Sequence, residues 1–256
     1  MKRPFDADGL LGFLAPRCVP GVEEVEGRVY RRAVGGEALE IELLADGVRG
    51  DPVLARAVCD LDADPAAIDA RLAAVPALAP LVRATPGIRV PGTADPTELA
   101  VRALLGQQIS VAAARTLAGR LTARLGVPLA RPRGAVTHAF PEPAALARLD
   151  PEELPMPRAR GRALVGLAGA LADGLPVERQ ALLGLRGIGP WTADYVALRT
   201  GDRDVLLHTD LGVRHALRAL GVEELRPFAE ACRPYGSYAT LHLWRSLGAP
   251  AVASMA

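Results

Sequence analysis

The spacing of apolar and polar positions divides the chain into a mixed segment and a longer helical one. Apolar and polar residues alternate through Val25–Val34 (VEGRVYRRAV) and Ala38–Val48 (ALEIELLADGV), with Gly35-Gly36 between them. Period-two alternation on either side of a glycine pair predicts two strands joined by a turn. Leu10–Cys18 (LLGFLAPRC) fits a short helix. From Asp51 the period lengthens to that of a helix. Asp51-Pro52 and Asp64-Pro65 each place a capping acid before a proline suited to a first helical position, and each opens an amphipathic run. Residues 1–85 therefore read as a small α+β lobe, with Thr85–Thr93 (TPGIRVPGT) as the crossing to the next one. Asp95-Pro96-Thr97-Glu98 has the form of a capping box, and the helix behind it runs to Gly106. Ser110 is placed to cap a second helix, with Gln107-Gln108-Ile109 between the two as a kink or an exposed turn. Residues 127–157 read as proline-rich and irregular, with a short helix near Pro141–Leu149. Helical patterns return at Arg158–Gly174, 211–220, Pro227–Gly236 and Ser237–Gly248. Nothing after residue 96 reads as strand. The chain is thus expected to be mainly α with an N-terminal α+β lobe. Residues 86–256 would form a helical domain of two lobes with a cleft between them.

Composition narrows this only a little. Half of the 256 residues are hydrophobic, enough for a sizeable core. No run of ~18 apolar residues lacks charge, so a membrane span is not expected. The first residues have two basic side chains but too short an apolar stretch for a signal peptide. Cys18, Cys59 and Cys232 are odd in number and far apart. This fits a reducing cytoplasm and excludes a four-cysteine zinc or iron–sulfur site. The net charge of +1 hides an asymmetry. Residues 1–95 hold 11 Lys/Arg against 15 Asp/Glu, and residues 96–256 hold 19 against 14. The basic excess, almost all arginine, lies in the helical part, as a phosphate-binding surface would need. Arg158, Arg160 and Arg162 cluster at one helix start, which more often makes a solvated face than a binding patch.

The chemistry concentrates in residues 182–210, LLGLRGIGPWTADYVALRTGDRDVLLHTD. A short helix is expected to end near Leu185, followed by the tight turn Arg186-Gly187-Ile188-Gly189 and a second helix from Pro190. Gly187 and Gly189 permit positive φ and close approach by a partner. The free amides at the second helix start, with the helix dipole, form an anion site that suits a DNA phosphate. Trp191 and Tyr195 are i, i+4 and share a helix face. Asp210 precedes the amphipathic run 211–220 as its N-cap, which would hold the side chain rigidly. An ordinary N-cap uses the same geometry, so this spacing alone leaves a catalytic and a structural role both open.

Leu185, Gly187, Ile188, Gly189 and Asp210 match the L-x-G-[IV]-G…D signature, and the chain here resembles the helix-hairpin-helix DNA glycosylases. LLGFLAPR, PGIRVPG, RALLGQQISVAAA, LRGIGPWTADYVALR and SYATLHLWRSLG, in that order, are similar to the bacterial 3-methyladenine DNA glycosylase II family. The resemblance implies a glycosylase fold with its active site between two helical lobes. It implies hydrolysis of the N-glycosidic bond of alkylated purines in double-stranded DNA, by a bacterial cytoplasmic monomer at work on the nucleoid. It also implies Asp210 as the catalytic acid, with Trp191, Tyr195, Trp244 and Leu211 around the base. Gln108, Gly187, Gly189 and Thr192 would contact DNA. Main-chain carbonyls of Leu183, Leu185 and Ile188 would hold a structural Na⁺ or K⁺, and no other cofactor is required. A flipped base needs flat apolar walls, and electron-rich rings attract the positive charge of a methylated base. Two positions depart from the family pattern. Gln108 stands where an apolar wedge is usual, and Leu211 stands where some members have an aromatic residue. The alternatives are a glycosylase/lyase of the endonuclease III type and a DNA-binding protein without catalysis. Lyases need a lysine amine just after the hairpin. Trp191 takes that place here, and the chain's only lysine is Lys2.

Overall fold

The computed structural model describes residues 2–248. The chain opens with helix α1 (Ala7–Leu14) and a 3-10 turn, then builds an antiparallel sheet of β1 (Glu23–Glu26), β2 (Val29–Val34), β3 (Glu37–Leu44) and β4 (Gly47–Gly50) in sequential order. Val34 pairs with Glu37 across a two-residue turn in which Gly35 and Gly36 have φ of +57° and +83°. Positive φ at both central residues is what a tight hairpin turn requires, so the glycine pair does what its sequence predicts. Helices α2 (Pro52–Cys59), α3 (Pro65–Ala73) and α4 (Ala79–Ala84) follow. Asp51 and Asp64 accept from the amides of Leu54 and Ala67, as expected of caps.

The remainder begins with α5 (Pro96–Leu105) and α6 (Val111–Leu125), the latter capped by Ser110. Here two expectations need correction. The capping box at Asp95 is only half formed. Asp95 accepts from the amides of Thr97 and Glu98, but the Glu98 carboxylate turns inward to Arg32 (2.6 Å) and Arg102 (2.7 Å). Thr93 Oγ1 takes its place on the Asp95 amide. A buried ion pair outcompetes a neutral amide for a carboxylate. Nor is the segment after α6 irregular: β5 (Val127–Arg133) and β6 (Val136–Ala139) form a hairpin turned at Gly134, with φ of +57°. It packs on β3 and β2. Pro128 and Pro132 hid it from pattern reading. They are tolerated because β5 is an edge strand whose residues other than Leu129 are exposed.

The last helices are α7 (Pro143–Leu146), α8 (Arg158–Ala172), α9 (Arg179–Leu183), α10 (Pro190–Arg199), α11 (Leu211–Ala219), α12 (Leu225–Cys232) and α13 (Gly236–Ser246). Two hydrophobic cores hold them. One joins α1–α4 and the inner sheet face (Tyr30, Ile41, Leu43) to α11–α13. The other joins α5–α9 with Val22 and Ala33. Helix α10 lies across the seam: Ala193 and Val196 enter the second core, Ala197 and Leu198 the first. The segment through residue 85 thus shares its core with the last three helices. The cysteines are buried and unpaired, and no helix among the described residues is long and apolar enough to cross a membrane.

Candidate active site

The site forms where α10 bridges the two cores. The hairpin before it is fixed at two points, Gly187 and Ile188. Gly187 has φ of +89°, and a Cβ there would lie 2.5 Å from that of Ala163 on α8, so both conformation and packing demand glycine. Ile188 is buried in the second core and pins the turn down. Gly189 is the N-cap of α10, extended and open to solvent, with no side chain to cap the helix. Pro190 has no N–H, and the first amide satisfied within the helix is that of Ala193, on Gly189 O (3.2 Å). The amides of Trp191 and Thr192 therefore precede the ladder and point out of the helix start. The Thr192 hydroxyl does not point out with them: the residue is buried and its Oγ1 accepts from Gln107 Nε2.

Asp210 caps α11, as its position predicts, and it is 1% exposed. Its Oδ1 accepts from the Val213 amide (3.0 Å) and from Trp244 Nε1 (2.9 Å), and its Oδ2 accepts from Trp191 Nε1 (3.0 Å). Three donors thus fix the carboxylate. The two indoles were expected only as apolar walls; their N–H groups on Asp210 are a tertiary feature that no local pattern carries. Gly212 was also missed. A Cβ there would stand 3.1 Å from Asp210 Oδ1 and 3.5 Å from the Trp244 ring. Leu211, between them, is half-buried.

The aromatic residues meet as expected, with one addition. Trp191 and Tyr195 stack at 5.2 Å and 8° on their shared face, and Trp244 tilts against Tyr195 at 6.4 Å. Phe13, from α1, lies 6.3 Å from Trp244 and completes the cluster. Two arginines lie over the Phe13 ring, Arg17 at 3.9 Å and Arg199 at 4.9 Å. Arg199 also donates to Tyr195 Oη (2.8 Å) and to the carbonyls of Pro91 and Gly92. Burial alone would push the Tyr195 phenol up, but the charges of Arg199, Arg17 and Arg102 hold it below its ordinary pKa. A cavity of about 90 Å³ opens beside these rings, lined by Phe13, Arg17, Trp191, Tyr195 and Arg199 among others.

Other residues singled out in the sequence fall around this centre. Gln108 is exposed, at φ of +58°, in the turn between α5 and α6. Asp194 is buried and paired with Arg179, tying α9 to α10, which is a structural role. Arg158 and Arg162 pair with Glu152 on the surface, as a solvated face would. In the hairpin, Leu185 O accepts from the Ile188 amide (3.2 Å), and Leu183 closes α9.

Comparison with known proteins agrees with this architecture. A family model described as the AlkA N-terminal domain matches residues 1–49 and 48–95. The chain is 41% identical to a probable bifunctional transcriptional activator/DNA repair enzyme AlkA of Mycobacterium tuberculosis, over 98% of this chain and 56% of that protein. The chain thus spans little more than half the length of that relative. It is 35% identical to DNA-3-methyladenine glycosylase 2 of Escherichia coli, over 96% of this chain and 95% of that one. Among solved structures, 3-methyladenine DNA glycosylase from Archaeoglobus fulgidus superposes with a TM-score of 0.77 at 22% identity, covering 95% of both chains. The 8-oxoguanine glycosylase/lyase of Clostridium acetobutylicum bound to double-stranded DNA gives 0.76 at 18%, covering 94% of this chain and 90% of that one. On the near full-length match to the Escherichia coli enzyme and the shared helix-hairpin-helix fold, the chain belongs to the DNA-3-methyladenine glycosylase 2 family.

Proposed function

We propose that the protein is a monofunctional DNA glycosylase that excises alkylated purines, such as 3-methyladenine and 7-methylguanine, from double-stranded DNA. The observation that carries this reading is the Asp210 carboxylate, buried and held by Val213, Trp191 and Trp244 at the edge of an aromatic cluster. Breaking the bond between C1′ and the base nitrogen builds positive charge on the sugar, as in other glycosyl transfers. A fixed carboxylate beside C1′ stabilises that charge without reorganising in the transition state. Water adds to the anomeric carbon as the base leaves with the bonding electrons, and the water's proton passes to the Asp210 carboxylate or to bulk solvent. An alkylated purine already carries positive charge, so it departs as a neutral base. Trp191, Tyr195, Trp244 and Leu211 would wall the extruded base.

The DNA would be anchored at the hairpin, with the amides of Gly187, Gly189 and Thr192 toward backbone phosphate. Gln108 would fill the space left in the stack. A monovalent cation held by the carbonyls of Leu183, Leu185 and Ile188 would add a positive charge facing phosphate. Leu185 O already accepts one hydrogen bond, and a carbonyl's second lone pair suits such a contact.

Asp210→Asn tests the reading. Single-turnover excision from methylated duplex should fall by at least ~10²–10³, with binding to an abasic-site analogue retained. Near-normal excision by the variant would remove Asp210 from the chemistry. Tight binding without base release by the wild type would favour a DNA-binding protein without catalysis.

A further inference from the structure

We propose that Gln107 is a positioning residue that locks the Gln108 turn to the phosphate-binding hairpin. Insertion into the base stack and anchoring of the backbone then occur in one register. The inference rests on the base-flipping reading above and assigns a task to a side chain outside the chemistry.

Gln107 opens the turn after α5, where its own amide donates to Leu104 O (3.2 Å). Its side-chain Nε2 crosses to the other half of the site. It donates to Gly187 O in the hairpin (3.0 Å) and to Thr192 Oγ1 on α10 (2.9 Å). A carbonyl only accepts, so the bond to Gly187 O settles which end of the amide faces the hairpin. Both amide protons are then used. Neither acceptor is free to wander. Gly187 is held at positive φ against Ala163, and Thr192 is buried. The strut therefore joins two fixed points.

What it steadies is the next residue. Gln108 is a non-glycine side chain in the left-handed region, a conformation that persists only where surroundings impose it. Its own side chain is exposed, and among the described residues its one side-chain hydrogen bond, accepted from Arg160 Nη2, is a weak 3.4 Å. The restraint on Gln108 thus comes through the backbone from its neighbour. The outward side chain stays free to enter DNA. Without the strut Gln108 would still be present but out of register with the hairpin. The loss should fall on opening a paired duplex and spare cleavage of the glycosidic bond.

The test uses Gln107→Met, which keeps length and bulk but removes both donors. Single-turnover excision is measured on 7-methylguanine paired with cytosine and on the same lesion opposite an abasic site, where no pair must be broken. Two lost hydrogen bonds predict slowing of about 10-fold on the paired substrate. The unpaired substrate should stay within about 2-fold of wild type. In a Gln108→Ala background, Gln107→Met should add nothing further, because it acts through Gln108. Equal slowing on both substrates, no slowing on either, or full additivity with Gln108→Ala would each overturn the proposal. Fluorescence of 2-aminopurine beside an abasic analogue reads insertion without chemistry. If the wild type releases no base, the glycosylase reading fails. The strut is then judged on that signal alone, and an unchanged signal in Gln107→Met overturns it.

Discussion

Asp210 receives one bond from its own helix and two from indoles on α10 and α13. Each tryptophan therefore has two jobs in the proposed reaction, offering a ring to the base and an N–H to the carboxylate. The two can be separated at Trp244. Trp244→Phe keeps an aromatic face but leaves Oδ1 with only the Val213 amide. A hydrogen bond to a charged group contributes about 1.5–3 kcal/mol, so excision should fall by about 10- to 100-fold. Binding to an abasic-site analogue should change little. Wild-type excision rates for this variant would mean that the ring alone matters. Gly212 belongs to the same arrangement, because any side chain there would press on Oδ1.

Among the elements, the junction between the sheet and α5 matters most, because α5 leads directly into the Gln107–Gln108 turn. A buried set of charges fastens it. Arg102 lies between Glu23 (2.8 Å) and Glu98 (2.7 Å), Arg32 reaches both acids, and Tyr30 Oη donates to Glu23 (2.6 Å). Burial would raise the Glu23 carboxyl. Arg102 and Arg32 outweigh it, with help from Tyr30 and the Val19 amide, and bring its pKa down to about 2. In the unfolded chain a glutamate titrates near ~4.3, so between those values the unfolded state binds more protons. The stabilisation from Glu23 is thus fully present above about pH 4.3 and is lost as pH falls through about 2. Thermal melting followed between about pH 5 and pH 2 should show this acid limb, and Glu23→Gln should flatten it. The same variant should be several kcal/mol less stable at neutral pH, because breaking a buried pair costs ~3–5 kcal/mol. An unchanged acid limb would mean that other carboxylates control it.

At the scale of the whole molecule, the fold is shared with glycosylases that are also lyases, so fold does not decide the reaction. The proposed monofunctional reading rests on the residues that stand where a nucleophilic amine would be needed. Trp191 stands just after the hairpin, and the only lysine, Lys2, sits on the N-terminal lobe, paired with Asp64 at 2.5 Å. Borohydride should therefore trap no covalent complex with abasic duplex, as judged by electrophoresis of protein and labelled DNA. Stoichiometric trapping would show that another amine serves as nucleophile and that the monofunctional reading is wrong.

Features that depend on neighbours within about one helical turn are legible along the chain. The Gly35-Gly36 turn, the caps at Asp51, Asp64, Ser110 and Asp210, the hairpin around Gly187 and the shared face of Trp191 and Tyr195 are all set by φ, by first-turn amides or by i, i+4 spacing. The β5–β6 hairpin is hidden because its prolines signal loops; β5 tolerates them because it pairs only with β6, and contacts with β2 and β3 hold the hairpin in place. Glu98 fits a capping box locally, and a buried Arg32 66 positions away claims it. The indole of Trp244 reaches Asp210 across 34 residues, Phe13 joins the aromatic cluster from the other end of the chain, and Gln107 spans 85 residues to Thr192. These contacts arise in packing, because a side-chain bond between distant elements depends on how helices cross, and the hydrophobic period fixes which face is buried without fixing what that face meets.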